Sequence, residues 1–135
     1  MANALYDFGR QGFLEGTIDW DTDTIKAVLV DTALYTVNLA THDNLDDVPA
    51  GARIATSGAL GSKTVTAGVA DAADATFTAV TGASIEAIVL YKDTGVESTS
   101  RLIAYIDTAT GLPVTPSGGD ITVAWDNGAN KIFKL

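Results

Sequence analysis

Apolar residues recur at every second position in several short segments of the chain, and this period predicts β-strands. The predicted strands lie at residues 24–31, 84–93, 101–107, 120–126 and 131–135, with two more near 63–69 and 75–80. Asn127 and Gly128 separate the last two of the five longer segments, and because both residues accept a positive φ they predict a tight hairpin. Thr, Val and Ile alternate with clusters of Asp, Gly and Ser, which agrees with a β-rich chain.

Several predicted strands are apolar on both faces. In the first long strand, Ile25, Ala27 and Leu29 point one way, and Val28 and Val30 point the other. Strict alternation likewise sets Leu102, Ala104 and Ile106 opposite Ile103 and Tyr105. A strand in a two-layer sandwich normally has one polar face, so something must cover the second apolar face. The candidates are the N-terminal segment, a long loop and another subunit, and the last of these is the reason to expect a homo-oligomer.

The N-terminal segment, residues 1–17, is the best helix candidate, and residues 18–135 form the single β domain that follows it. Leu5, Phe8 and Gly12 share one side of the predicted helix. Each glycine inside a helix costs about 1 kcal/mol relative to alanine, so a docking arm with aromatic anchors is the alternative. The predicted fold class is all-β, a β-sandwich or jelly-roll-like arrangement of antiparallel sheets with a short N-terminal helix or arm.

Composition and charge narrow the function classes. The chain has 135 residues, the size of one domain, and can bury a core without disulfides or a structural metal. The absence of cysteine excludes thiol catalysis, zinc–thiolate sites and disulfides. Seventeen acidic and eight basic residues give a net charge of −9, which argues against nucleic acid and anionic membranes as partners. The charge favours solubility or a basic partner. We expect neither a signal peptide nor a membrane span.

The segment IDWDTDTIKAVLVDT, residues 18–32, places alternating aspartates before the first long strand, as many calcium loops do. An EF-hand loop that begins at Asp19 needs glycine at its sixth position and glutamate at its twelfth. The chain has Thr24 and Val30 there, so the segment fails as an EF-hand. A looser calcium site on Asp19 and Asp21 is one interpretation, and an acidic turn that guards a sheet edge is the other.

No catalytic motif is complete in the sequence. His42 is the single histidine, and Ser57 lacks the glycine two residues before it that a nucleophile elbow needs. The glycines before Lys63 have neither the spacing nor the strand–helix context of a phosphate-binding loop. Adjacent aspartates do not by themselves define the carboxylate separation of a glycosidase. We therefore predict no enzymatic activity, no catalytic residue, no metal and no cofactor.

The longest predicted connection between strands is DTATGLPVTPSGGD, residues 107–120. Loops of more than about 12 residues without secondary structure usually serve a function. Leu112 and Val114 would be exposed apolar residues if the loop stood free, and Pro113 and Pro116 stiffen it. The loop is either an arm that contacts a partner or a cover that folds over its own sheet.

Three stretches of the chain resemble small structural proteins encoded in the morphogenesis regions of tailed-phage genomes. They are ANALYDFGRQGFLEGTIDW, TIKAVLVDTALYTVNLATHDNLDDVPAGARIA and YIDTATGLPVTPSGGDITVAWDNGANKIFKL. The likeness covers essentially the full chain and includes no catalytic motif. It implies a virion component assembled in the host cytoplasm, and a small acidic β domain without cysteine is similar to capsid decoration or cement proteins. Those proteins lock neighbouring capsid subunits, so the resemblance implies a homo-oligomer, with a trimer favoured, bound to the major capsid protein or another virion protein.

We expect the N-terminal segment and the long loop to make the partner contacts. The residues concerned are Leu5, Tyr6, Phe8, Phe13, Leu112, Pro113, Val114 and Pro116. The alternative function is a host-surface binding module on a tail or head projection. Trp20, Tyr91, Tyr105 and Trp125 are its candidate platforms for sugars, although Trp125 alternates with apolar residues of its strand and is expected in the core.

Overall fold

A computed structural model of the protein describes residues 4–109, 111–126, 128–129 and 131–135, and antiparallel β-strands dominate the fold. The strands are β1 (Ala4–Leu5), β2 (Ile25–Val30), β3 (Arg53–Thr56), β4 (Thr64–Thr66), β5 (Val69–Asp71), β6 (Ala75–Phe77), β7 (Ala87–Lys92), β8 (Leu102–Ile106), β9 (Ile121–Val123) and β10 (Phe133–Lys134). The helix α1 spans Asp7–Glu15, and short 3₁₀ helices lie at Leu45–Asp47, Ala50–Ala52 and Glu97–Thr99. The predicted all-β class with a short N-terminal helix is confirmed.

The strands form three antiparallel sheets. The main sheet has the order β1-β8-β7-β2-β3, a second has the order β10-β5-β4, and a third pairs β6 with β9. Every predicted segment contains a strand. The alternation does not predict β1, β3 or β5, because a period of two is hard to recognise in such short strands.

One predicted strand contains a turn that the pattern did not show, and one predicted hairpin is wrong. The predicted strand at 63–69 is the hairpin of β4 and β5, which turns at Ala67 and Gly68 with φ values of 51° and 81°. The predicted hairpin at Asn127 and Gly128 does not join its flanking strands, because β9 pairs with β6 and β10 pairs with β5. Asn127 itself lies outside the described residues.

A bulge in β8 changes which side chains share a face. Tyr91 pairs with Leu102 and Leu90 pairs with Ala104, so Ile103 is the extra residue. Leu102 therefore packs in the same core cluster as Tyr91, whereas Ile103 packs with Ala104 on the opposite face. The strict alternation predicted for this strand is wrong at the bulge.

One face of the main sheet packs against the two smaller sheets. Ile25, Leu29 and Leu90 of the main sheet share a single buried cluster with Phe77 of β6 and Val123 of β9. Burial of this cluster removes apolar surface from water and holds the sheets together as two layers. As predicted, Ile25 and Leu29 of β2 share this face.

The second face of the main sheet is covered by the protein's own segment 35–52. The buried cluster on this face consists of Tyr6, Val28, Val30, Tyr35, Leu45, Val48, Ala52, Ala87, Val89, Tyr91, Leu102 and Tyr105. Of the three candidate covers, a long loop is therefore the main one, with Tyr6 added from the N-terminal segment. Another subunit is not needed on this face, so the apolar face no longer argues for a homo-oligomer, which stays a prediction implied by the resemblance.

The described part of the N-terminal segment packs on β8. Ala4 pairs with Tyr105 and Leu5 with Ala104, which places β1 at the edge of the main sheet. The helix α1 follows after Tyr6 and ends at Glu15, and Gly16, with a φ of 76°, caps its C-terminus. This segment is therefore part of the sheet and core in this structure, as in the helix alternative. No helix among the described residues is long and apolar enough to cross a membrane.

Candidate functional site

The acidic segment after α1 closes into a turn. The Asp23 carboxylate accepts the N–H of Asp19 at 2.8 Å, and the N–H of Asp23 donates to the Asp19 carbonyl at 2.9 Å. Lys92 lies 3.2 Å from the same carboxylate, and Lys63 donates to the Asp23 carbonyl. The Asp23 side chain is thus committed to contacts within the chain, which matches the interpretation of this segment as an acidic turn.

Asp19 and Asp21 form a like-charge pair on the outer side of this turn. The contact between the two carboxyl groups raises the pKa of Asp21 and lowers the pKa of Asp19. Opposite shifts of this kind arise when two nearby carboxyl groups share a proton. Asp19 and Asp21, the two side chains of the looser calcium site considered from the sequence, thus lie together, and calcium binding there stays a prediction.

A second acidic group surrounds the 3₁₀ helix at Leu45–Asp47. The carboxylates of Asp43, Asp46 and Asp47 lie within 4.8 Å of one another, and among the described residues they form the group that could hold a metal ion. Asp47, however, accepts the N–H of Asp43 at 2.7 Å, a side-chain bond typical of a capped turn. Exposed acidic groups are common at such turns, and we assign no metal here.

His42 belongs to a hydrogen-bonded relay. Its Nδ1 accepts the N–H of Asn38 at 3.2 Å and lies 2.9 Å from the Tyr35 hydroxyl, which in turn lies 2.8 Å from the Tyr6 hydroxyl. Because Nδ1 accepts a backbone N–H, Tyr35 donates to it and Tyr6 donates to Tyr35. Burial raises the pKa of Tyr6 and raises the pKa of Tyr35 to about 12, so both hydroxyls keep their protons. The relay occupies Nδ1 of His42 and acts as a structural link.

The loop of residues 107–120 folds back onto the protein, although its Thr110 lies outside the described residues. The N–H of Ile85 donates to the Val114 carbonyl at 2.8 Å, and the N–H of Val114 donates to the Ile85 carbonyl at 2.9 Å. Leu112 and Val114 are half-buried against the main core. The two prolines, Pro113 and Pro116, are exposed and half-buried respectively. The geometry matches the alternative in which the loop covers the protein's own core. Leu112 and Val114 are therefore less accessible to a partner than they would be in a free arm.

An apolar groove lies between the end of α1, the acidic turn and the sheet of β4, β5 and β10. Its volume is about 270 Å³. It is lined by Phe13, Gly16, Ile18, Asp19, Trp20, Val65, Gly68, Ala70, Phe133 and Leu135, and we refer to it as the aromatic groove.

Three aromatic rings build the interior of the aromatic groove. The ring centroid of Phe133 lies 5.2 Å from that of Trp20 at an interplanar angle of 86°, and 5.7 Å from that of Phe13 at 47°. Contacts between aromatic rings at such distances stabilise the packing by more than the burial of their apolar surface alone. The indole N–H of Trp20 donates to the Asp71 carbonyl at 3.0 Å, which fixes the orientation of the indole ring. The groove is therefore a preformed apolar surface.

The rim of the aromatic groove exposes apolar side chains. Val65 and Leu135 line the groove and keep 55% and 57% of their surface exposed. Asp19 is the ionisable side chain among the described residues that line the groove, and the rest of its lining is apolar or glycine. The arrangement is suited to receiving apolar side chains of a partner.

The structure separates the residues of the N-terminal segment that are predicted to contact a partner. Leu5 and Tyr6 are buried inside the protein. Phe8 is half-buried beneath Arg101, whose guanidinium carbon lies 5.6 Å from the ring centroid. Phe13 alone among these residues lines the aromatic groove. One predicted contact residue thus belongs to the candidate site, and the N-terminal core residues serve the fold.

The aromatic residues considered as sugar platforms are all buried. Trp20 and Tyr91 keep 3% of their surface exposed, Tyr105 keeps 5% and Trp125 keeps 7%. The expectation that Trp125 lies in the core is confirmed, and its indole N–H donates to the Ala73 carbonyl at 2.9 Å. None of the four presents a free ring face, so the host-surface alternative gains no support from them.

Sequence reasoning did not find the aromatic groove. Phe133, Val65 and Leu135 come from separate elements whose proximity depends on the pairing of β10 with β5 and of β5 with β4. The one sequence feature that could have indicated an exposed apolar site was Val65, which lies between two threonines. That signal is weak, because isolated apolar residues are common on protein surfaces.

No protein-family model matches the chain, and no curated protein is similar to it at a significant level. Function is therefore inferred from the aromatic groove and from the resemblance of the sequence.

Proposed function

We propose that the protein is a structural component of a phage virion, with decoration of the capsid as the preferred role. The virion role rests on the resemblance of the sequence to small structural proteins of tailed phages. The aromatic groove is the observation that supports a binding role, because its rigid rings and exposed rim form an apolar surface open to a partner. The partner in this proposal is the major capsid protein or another virion protein.

The aromatic groove is suited to binding on energetic grounds. Apolar surface removed from water contributes roughly 25 cal/mol per Å². Rings that are already held by neighbouring rings lose little conformational entropy on binding, so more of this gain is kept. A standard interface buries about 1,600 Å² in total, so the groove would be the centre of a larger contact. Many identical copies on one shell would add avidity to each modest contact.

A charge at the rim of the aromatic groove tests the binding role. We expect Leu135→Asp to lower occupancy on particles about ten-fold, because a carboxylate at an apolar contact must be desolvated without a partner. The measurement is co-sedimentation of purified protein with particles that lack it, followed by quantitative gel analysis. Leu34→Asp is the matched control, because Leu34 is 58% exposed, close to the 57% of Leu135, and does not line the groove. Unchanged binding of Leu135→Asp, or an equal loss in both variants, would contradict the role of the groove.

The virion role has its own test. Mass spectrometry of purified phage particles should detect the protein at a stoichiometry that matches a symmetric set of shell positions. Its absence from purified particles would refute the virion role whatever the groove binds. Deleting residues 2–13 would not test whether the N-terminal segment contacts a partner. The deletion removes β1, most of α1 and the buried Tyr6, so we expect it to unfold the protein.

A further inference from the structure

Among the described residues, β4 pairs with β5 alone, and no strand pairs with its outer edge. β4 lies at the end of the sheet order β10-β5-β4, and each of its residues, Thr64, Val65 and Thr66, is exposed. Every other strand has at least one half-buried or buried residue. An edge strand presents backbone N–H and C=O groups that can pair with another strand.

The register of the hairpin identifies which backbone groups face the open edge. The two-residue turn pairs Thr66 with Val69, and such flanking residues exchange hydrogen bonds with each other. The next pair, Val65 and Ala70, must then be a non-bonded pair whose backbone groups point outward. The Ala70 carbonyl accepts the N–H of Ile132 at 3.1 Å on the far side, which agrees with this alternation. The N–H and C=O of Val65 therefore point away from β5.

The edge of β4 lacks the usual protection against pairing. Its three residues carry no charge and no proline, and all three are β-branched, which favours strand formation. Lys63 precedes the strand, but its side chain is bound to the carbonyl of Asp23 and does not guard the edge.

We propose that a second copy of the chain pairs with this edge, with β4 antiparallel to β4 across a two-fold axis. The sequence Thr-Val-Thr is self-complementary in that register, because Val65 lies opposite Val65 and Thr64 lies opposite Thr66 of the second copy. The two Val65 residues exchange two backbone hydrogen bonds. The result is a continuous six-stranded sheet in the order β10-β5-β4-β4-β5-β10.

Side-chain packing supports a second copy as the occupant. Residues directly opposite one another in a sheet point to the same face, so Phe133, Ala70 and Val65 form one row across β10, β5 and β4. Two-fold pairing places the Val65 side chains in contact and extends this row into the second copy. The exposed surface of Val65 at the rim of each aromatic groove is then buried against Val65 of the other copy.

The proposed dimer is weak and sensitive to salt. Strand pairing through three residues buries far less than the roughly 1,600 Å² of a standard interface, so dissociation occurs at micromolar or higher concentration. Each copy carries a net charge of −9, and long-range repulsion between copies is screened by salt. Added sodium chloride should therefore tighten the dimer. The inference does not depend on the virion role, because it concerns the isolated chain.

Sedimentation equilibrium of the purified protein, from micromolar to millimolar concentration, tests the proposal. We expect reversible dimers, and a dissociation constant at least ten-fold higher for Val65→Lys, because lysine on an edge strand opposes pairing. Val96→Lys is the matched control, since Val96 has the same 55% exposure as Val65 and lies outside β4, and it should dimerise like the wild type. Circular dichroism should show that both variants are folded.

Amide hydrogen exchange gives a second measurement that does not depend on a variant. The amide of Val65 should exchange more slowly at high protein concentration, whereas the amide of Val96 should not change. A chain that stays monomeric throughout, or a dimer that Val65→Lys leaves intact, would overturn the proposal. Binding of the β4 edge to a foreign strand without any dimer would overturn it as well, because it would assign another occupant.

Discussion

Gly9 and Gly12 are the residues at which helix propensity and tertiary packing disagree most clearly. Glycine weakens a helix by about 1 kcal/mol relative to alanine, which is why the sequence left an extended arm open as an alternative. In the structure, a Cβ on Gly9 would stand 2.7 Å from the Leu102 carbonyl oxygen, and one on Gly12 would stand 2.5 Å from the Ile18 side chain. The absence of a side chain on Gly9 lets α1 lie directly on β8, and on Gly12 it lets Ile18 pack against the helix.

We therefore expect Gly9→Ala to lower the free energy of unfolding by about 1–3 kcal/mol, the usual cost of overpacking. The cost outweighs the gain in helix propensity because the close atoms belong to the backbone of β8, which cannot rotate away. Urea unfolding followed by circular dichroism measures the change. Gly51→Ala is the control, since no atom lies within 4 Å of its added Cβ. Equal stability of the two variants would show that α1 can shift away from β8.

At the scale of elements, the hairpin of β4 and β5 depends on a turn that its sequence does not favour. Ala67 and Gly68 both have positive φ, as a two-residue turn of type I′ requires. Alanine in this conformation places its Cβ too close to the backbone, at a cost of roughly 1–2 kcal/mol. Strong sequence signals for such turns are Asn-Gly and Asp-Gly, so the Ala-Gly pair did not interrupt the predicted strand.

Ala67→Asn should raise the free energy of unfolding by about 0.5–1 kcal/mol, because asparagine tolerates positive φ far better than alanine. Thermal and urea unfolding measure the gain. Ala73→Asn serves as the control, as Ala73 is also exposed but does not have a positive φ. If both substitutions change stability equally, the turn is not the cause. The dimer constant should not change, since the turn leaves the outer edge of β4 untouched.

At the scale of the whole molecule, the main sheet is enclosed by parts of the chain that are distant in sequence. The hydroxyls of Tyr6 and Tyr35 are hydrogen-bonded although the residues are 29 positions apart, and Tyr35 continues the relay to His42. This relay ties the N-terminal segment to the segment 35–52 that covers the second face. Both tyrosine side chains are buried, so their protonation is linked to the stability of the fold.

Stability should fall at high pH because burial raises the pKa of Tyr6 and raises that of Tyr35 to about 12, above the ordinary value near 10. A group with a raised pKa in the folded state contributes stability that is present below its unfolded pKa and is lost as the pH rises through the folded pKa. We expect Tyr6→Phe to lose about 1 kcal/mol near neutral pH, where the hydrogen bond is removed. Above about pH 10 its stability should fall less steeply than that of the wild type.

Urea unfolding at neutral pH and at two values above the ordinary tyrosine pKa measures this difference. Parallel pH profiles for the wild type and Tyr6→Phe would mean that the phenol of Tyr6 is not the group that titrates. A profile that changes only below neutral pH would instead point to other groups of the fold.

Much of the fold could be predicted from local pattern. The alternation of apolar residues located β2, β7 and β8, separated the faces of β2 correctly and placed Trp125 in the core. These predictions succeed because side-chain direction in a strand follows from backbone geometry alone. The bulge at Ile103 was missed because one extra residue interrupts the period of two. The turn at Ala67 was missed because alanine rarely adopts the positive φ that the turn requires.

The candidate site could not be predicted in the same way. Val65, Phe133 and Trp20 belong to segments far apart in sequence, and they meet only through strand pairing and the closure of the acidic turn. The predicted contact residues Leu5 and Tyr6 have the same apolar character as rim residues, yet they are buried. Hydrophobicity identifies surface that must be covered, but it does not say whether the same chain or another molecule covers it.

The amino-acid sequence by itself determined the β-rich class, the position of the longest strands, the acidity of the chain and the presence of two apolar faces on β2. Those properties are local or additive, so they can be read along the chain. Only the tertiary structure decided that the segment 35–52 covers the second face and that the edge of β4 and the rim of the aromatic groove stay exposed. The reason is that burial depends on contacts between residues distant in sequence, and which of these residues meet is decided by the whole fold.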